Sequence, residues 1–272
     1  MEQQQTTEEK QRRLEAYLRA VKSHGPQPGA DLLAEHLRPM TRAEMDADLK
    51  SFADFCRGRH EGETVVVLGT GDSLRRLDQA QLRRFTTVGC NGIGRVFQPD
   101  YYLILDPFVY ALHKEVFLAC PNTRILSTFT SGECDQRIYY RYENLVGLSP
   151  DEIYSADNTG FVQLSMAYMM GARRVVVAGY DGYPPGAASF HCYDEPEVEA
   201  ARVRHEWHDH DAAGDAKREL MREAFAYARR RFAEEGRELY LLTDSYLLGD
   251  LLEKISWADF IRLPAKKPGG ND

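Results

Sequence analysis

From Thr64 onward, short uninterrupted apolar runs alternate with longer stretches of helical spacing. Thr64-Val65-Val66-Val67-Leu68 is a β-branched run that ends in Gly69-Thr70-Gly71-Asp72-Ser73, and a helix-compatible segment from Leu74 to Phe85 follows. Thr86–Cys90 reads as a second strand stopped by Asn91-Gly92. Tyr101–Leu105 is a third, stopped by Asp106-Pro107, and Thr123–Ser127 a fourth. Between Asn158 and Met170 the residues Phe161, Leu164, Ser165, Tyr168 and Met169 fall at helical spacing, Gly171 ends the pattern, and Val175–Gly179 is again fully apolar. A helix from about Ala212 to Glu235 precedes Glu238–Leu242. Strands without polar alternation, separated by helices, are buried on both faces. The pattern therefore predicts an α/β fold, a Rossmann-like doubly wound and mainly parallel sheet.

Residues 1–60 have a different texture. Thr6 with Glu9, and Thr41 with Glu44, have the spacing of capping boxes. After them Leu14, Tyr17, Leu18 and Val21, and then Met45, Leu49, Phe52 and Phe55, form helical stripes separated by a break at Gly25-Pro26 and Pro28-Gly29. This stretch predicts an N-terminal helical arm packed on a main domain over 61–262, with dimerisation as its alternative role. A polar, histidine-rich stretch at about 184–212 is placed as a lid, and 263–272 as a tail.

Composition narrows the classes. The chain of 272 residues is 43% hydrophobic and 28% charged, which is globular rather than disordered or fibrous. The formal charge of −8 and the lack of a long basic run argue against a nucleic-acid partner. No apolar run reaches the roughly 18–20 residues of a membrane span, and the polar start MEQQQTTEEK has no signal-like core. Cys56, Cys90, Cys120, Cys134 and Cys192 are scattered with no C-x-x-C spacing, so zinc or disulfide frameworks are not indicated and a cytoplasmic location is expected.

In an open parallel sheet, ligands bind beyond the carboxyl ends of the strands. The chain places its unusual residues there: Gly69, Thr70, Gly71, Asp72 and Ser73 after the first strand, Asn91 after the second, Asp106 after the third, and Asp181 and Tyr183 after the run at 175–179. The glycine loop before a helix suits a phosphate, but it is neither G-x-G-x-x-G nor a P-loop; the plain alternative is a turn capped by Asp72 or Ser73. Asp106 and Asp181 suit a metal, a ribose or a turn. His191 opens a polar segment with Tyr193, His205, His208 and His210, in which an imidazole is a natural general base and a metal cluster is a further option.

The ordered set G-T-G-D-S-L, C-N-G, P-D-Y-Y-L-I-L-D-P, N-T-G and G-A-R-R-V-V-V-A-G-Y-D, followed by a histidine-bearing segment, resembles one superfamily over roughly 64–262. It is similar to the bacterial family 42 sialyltransferases, the related Maf-type flagellin glycosyltransferases and the archaeal 6-hydroxymethyl-7,8-dihydropterin pyrophosphokinases. The resemblance implies that Gly69–Ser73, Cys90-Asn91 and Asn158-Thr159-Gly160 hold a nucleotide. It also implies that Tyr183 and Tyr193 stabilise the departing phosphate, and that His191, or second His205, is the base. Thr70 and Asp72 depart from the sialyltransferase loop, and Asp106 stands where that family tends to carry Asn.

Three expectations follow. The first is an inverting glycosyltransferase moving an acidic sugar from a CMP-activated donor to a hydroxyl of a glycan or small molecule, with no cofactor required. The second is a Mg²⁺-dependent pyrophosphokinase or nucleotidyltransferase with Asp106 and Asp181 on the metal. The third is a nucleotide-binding or scaffold protein that has lost catalysis. A homo-oligomer is a further expectation.

Overall fold

The computed structural model describes residues 35–140, 145–182, 191–193 and 212–266. The expected first helix, most of the expected lid, and Tyr183, His205, His208 and His210 lie outside these residues.

Helix α1, Arg42–Cys56, begins with the expected reciprocal cap: Glu44 N–H donates to Thr41 Oγ1 at 3.3 Å and Thr41 N–H donates to Glu44 Oε2 at 2.8 Å. The strands are β1 (Thr64–Leu68), β2 (Thr86–Cys90), β3 (Tyr101–Ile104), β4 (Thr123–Ser127), β5 (Gln136–Ile138), β6 (Arg174–Ala178), β7 (Glu238–Leu241) and β8 (Glu253–Lys254). The longer helices between them are α3 (Pro107–Leu118), α4 (Thr159–Met169) and α5 (Ala212–Glu234); α2 (Gln79–Leu82) and α6 (Trp257–Phe260) are single turns.

The expected helix from Leu74 to Phe85 does not form as one element. A 3₁₀ turn, Asp72–Arg76, and α2 share that stretch, because Leu77 is extended and Asp78 starts a new helix by accepting from Ala80 N–H. Strands β5 and β8 lie beyond the strands the pattern predicts. Both are edge strands of three and two residues, too short and too polar to leave an apolar run.

All eight strands are parallel, in the order β5-β4-β3-β2-β1-β6-β7-β8. The chain builds outward from β1 to β5, then returns to place β6 on the other side of β1. That reversal makes the gap between β1 and β6 the topological switch point. Alternating side chains fill two cores. Val65, Val67, Val88, Leu103, Val175 and Val177 meet Phe52 of α1, Phe161 of α4, and Phe225 and Phe232 of α5. Val66, Leu68, Tyr102, Ile104 and Val176 meet Tyr110 and Phe117 of α3, with Phe85 and Phe260.

One buried amide ties the first core to the strand ends. Gln163 of α4, fully buried, donates through Nε2 to Leu68 O at 3.0 Å and Val88 O at 2.8 Å, and its Oε1 accepts from Tyr180 OH at 2.6 Å. All three partners are inside, so each group left without its bond would carry a desolvation cost. Gln163→Leu keeps the volume and removes the bonds; it is expected to cost about 2 kcal/mol, lowering the melting temperature by roughly 4–8 °C. Calorimetry checks this, and an unchanged melting temperature would show that the amide does not brace the strand ends.

Candidate active site at the carboxyl rim of the sheet

The glycine loop after β1 already holds an anion, and that anion is the protein's own. Asp181, just past β6, accepts from Ser73 N–H at 2.8 Å and from Ser73 Oγ at 2.5 Å. The 3₁₀ turn starting at Asp72 has no cap from its own side chains, so Asp181 supplies it from across the switch point. Gly71 is required by this contact: a Cβ there would lie 2.4 Å from the Asp181 Cγ. The loop's backbone is engaged on the same side, with Gly69 N–H on Ala178 O at 2.9 Å and Gly71 N–H on Gly179 O at 2.8 Å. Burial pushes the Asp181 carboxyl above its ordinary range, and the two Ser73 bonds oppose that shift.

This alters the expected role of Gly69–Ser73. The amides of Gly69, Gly71 and Ser73 face β6 and its aspartate, so the turn is not an open phosphate cradle at those positions. Neither Asp72 nor Ser73 caps the turn; Asp72 instead pairs with Arg75 at 2.7 Å.

Thr70 faces the other way and receives the His191 segment. Cys192 N–H donates to Thr70 O at 2.8 Å, Thr70 Oγ1 and His191 Nδ1 are 3.1 Å apart, and Arg75 Nη2 donates to His191 O at 3.1 Å. His191 and Tyr193 stack with ring centroids 5.1 Å apart and planes 5° from parallel. Tyr193 lies over Gly92, where a Cβ would come within 2.4 Å of its ring. Thr70, Gly92, His191 and Tyr193, far apart in the chain, therefore share one place at the ends of β1 and β2. His191 and Tyr193 are 2% and 4% exposed.

Asn91 and the Asn158-Thr159-Gly160 turn occupy the same rim. Asn91 has φ 53°, and its carbonyl accepts from Tyr102 OH at 2.5 Å. Asn158 caps α4, its Oδ1 accepting from Gly160 N–H at 2.7 Å, directly after Ala156 and Asp157 with φ 45° and 52°. Non-glycine residues in the left-handed region cost free energy and collect at functional sites. Sequence reasoning missed Gln163 and Tyr180. A helix position or a core tyrosine gives no local sign that it braces a rim. The thiols of Cys90 and Cys192 are pushed by burial up to about 12, so neither is a nucleophile at neutral pH.

The expected shared Mg²⁺ site does not fit. Asp106 is exposed and caps α3, its Oδ1 accepting from Phe108 N–H at 2.7 Å and Val109 N–H at 3.3 Å. Asp181 holds Ser73. Strands β2 and β1 separate β3 from β6, so the strand ends that carry the two aspartates stand roughly 14 Å apart. One Mg²⁺, with oxygen ligands at ~2.1 Å, does not join them. Among the described residues no group of three or more His, Cys, Asp or Glu is placed to hold a metal ion, and no helix is long and apolar enough to cross a membrane.

Two outcomes test the Asp181 lock. Gly71→Ala alone is expected to destabilise the fold, while Asp181→Ala opens space for the new methyl; urea titration of the double-mutant cycle should give a coupling of about 1 kcal/mol or more, and additive effects would contradict the contact. The second outcome is pH dependence. Because the folded carboxyl titrates above its ordinary 3.8, the folded state binds the proton more tightly than the unfolded chain. The penalty for ionising it is absent below the unfolded pKa and complete above the folded one. Asp181→Asn, neutral throughout, should gain stability relative to wild type as pH rises from about 4 towards 7, and a constant difference would refute the shift.

No family model matches the chain, and no curated protein matches it. A solved structure, the sialyltransferase CstII from Campylobacter jejuni in complex with a substrate analogue, cytidine-5'-monophosphate, is similar over 71% of this chain and 85% of that chain, with 13% sequence identity and a TM-score of 0.44.

Proposed function

We propose that the chain is an inverting glycosyltransferase that moves an acidic sugar from a CMP-activated donor to a hydroxyl acceptor, a glycan or a small molecule. The observation that carries this reading is the docking of His191 on Thr70 with Tyr193 over Gly92, at the strand ends beside the switch point. An imidazole, its hydroxyl orienter and a phenol stand together where an open parallel sheet takes its ligand. The ordered motifs resembling the sialyltransferase superfamily support the same reading.

In this mechanism His191 Nδ1–H donates to Thr70 Oγ1, which leaves the Nε2 lone pair as the base. The acceptor hydroxyl gives its proton to Nε2 as its oxygen attacks the anomeric carbon. The bond from that carbon to the phosphate oxygen breaks, and CMP leaves with the electron pair. A single displacement inverts the configuration. The Tyr193 hydroxyl donates to the phosphate oxygens as their charge develops. The nucleotide lies towards Asn91 and Asn158–Gly160, since Ser73 is taken by Asp181. Tyr183 and His205 remain candidates outside the described residues.

CMP is expected to raise the melting temperature, as a ligand of the native state does, with or without Mg²⁺. His191→Ala should keep that shift and lower turnover of CMP-N-acetylneuraminate by at least about 10²-fold. Thr70→Val should lower it about tenfold through the lost orientation of the ring. Stabilisation by ATP with none by CMP would overturn the reading.

A further inference from the structure

Beside the His191–Tyr193 pair stands a second imidazole that the mechanism above does not use. His113 of α3 is 3% exposed. Arg95, at the end of the 3₁₀ turn Asn91–Arg95, donates from Nε to His113 Nδ1 at 3.0 Å and from Nη2 to Leu112 O at 3.2 Å. A guanidinium only donates hydrogen bonds. Nδ1 is therefore an acceptor, and the proton of a neutral His113 sits on Nε2. Protonating Nδ1 would remove this bond and place a second cation against Arg95.

The His113 ring meets Tyr193 edge-on, centroids 5.6 Å apart at 73°. Its Cε1 would lie 2.8 Å from a Cβ on Gly92, the glycine that also seats Tyr193. An aromatic edge is electropositive and an aromatic face electronegative, so this T-shaped contact is attractive and orients both rings. Tyr193 in turn stacks on His191. A continuous line runs from Arg95 through His113 and Tyr193 to His191. Arg95 belongs to the turn that begins at Asn91, so the line connects the expected nucleotide residues with the expected base.

We propose that Arg95 and His113 are positioning residues for the Tyr193–His191 pair, Arg95 fixing His113 as the Nε2–H tautomer and His113 fixing the tilt of the tyrosine. The inference rests on the glycosyltransferase reading for its consequence in catalysis, and on ring geometry alone for the positioning. Neither residue touches the reacting atoms. Their loss misplaces the phenol and the base while leaving the nucleotide residues in place.

The experiment uses the full chain and two readouts. Long-range ¹H–¹⁵N spectra of histidine-labelled protein are expected to show His113 with an unprotonated Nδ1 and a protonated Nε2, and His191 ring protons shielded by the stacked tyrosine. In Arg95→Leu and His113→Leu that shielding should fall, and in His113→Asn, which keeps an acceptor for Arg95 but has no aromatic edge for Tyr193, it should fall as well. With CMP-N-acetylneuraminate as the donor, the two leucine variants should lose about tenfold in kcat with donor KM within about twofold, and His113→Asn should lose a similar factor. A protonated Nδ1 on His113, or unchanged His191 shielding in both leucine variants, overturns the positioning. If the wild type binds no CMP and turns over no CMP-sugar, the glycosyltransferase reading falls, while the spectra still decide the positioning. If the wild type is active and the leucine variants keep its kcat, the positioning has no role in catalysis and the proposal fails.

Discussion

A carboxylate held across the switch point shapes everything around it. The order in which strands are added to the sheet reverses between β1 and β6, and the parallel strands meeting there leave two loops that need a common partner. Asp181 supplies it by accepting both donors of Ser73, and Gly71 leaves the room that this requires. Burying a carboxylate is unfavourable, as its raised pKa records, and the hydrogen bonds from Ser73 offset part of that cost. With the glycine loop closed towards β6, its outer side at Thr70 becomes the landing point for His191.

The rim is rigid where it is polar. Gln163 joins the ends of β1 and β2 to Tyr180, and Tyr102 fixes the carbonyl of Asn91, whose backbone is left-handed. Ala156 is fully buried with its own φ positive, next to Asp157 and directly before the cap of α4. A strained turn is stable only when its surroundings over-determine it. Here Ser155 does so, accepting from Asn158 N–H at 2.8 Å through its carbonyl and from Asp157 N–H at 3.2 Å through its hydroxyl. Strain and restraint coincide at the same end of the sheet as the stacked rings, which is the arrangement expected when geometry at that end matters more than stability.

The fold was legible in the sequence to the extent that strands are buried on both faces. Val65-Val66-Val67 and Val175-Val176-Val177 announce central parallel strands because no face is left for polar residues. Edge strands carry no such mark. Gln136-Arg137-Ile138 and Glu253-Lys254 pair with one neighbour each, and their charges suit an edge that resists further pairing. Leu74–Phe85 misleads because helical spacing ignores where the capping partner lies, and Asp78 restarts the chain locally. The rim positions were legible from the rule that ligands gather at strand ends. Their partners were not, since the links from Ser73 to Asp181 and from Thr70 to His191 each span more than a hundred residues.

Net charge at first argues against an anionic ligand on a chain of formal charge −8. Interactions at a buried rim are set by groups within a few ångströms, because solvent and salt screen the rest within a Debye length of about 8–10 Å. Close to the ring pair stand Arg75, which binds the His191 carbonyl, and Arg95, which binds His113. Each arginine is oriented by a hydrogen bond to the segment it supports, so its charge is fixed in direction as well as place. Asp72 pairs with Arg75, and Arg95 donates to the His113 ring and to the Leu112 carbonyl. Two guanidinium groups are therefore fixed beside the ring pair, and the formal charge of the whole chain does not describe this end of the sheet.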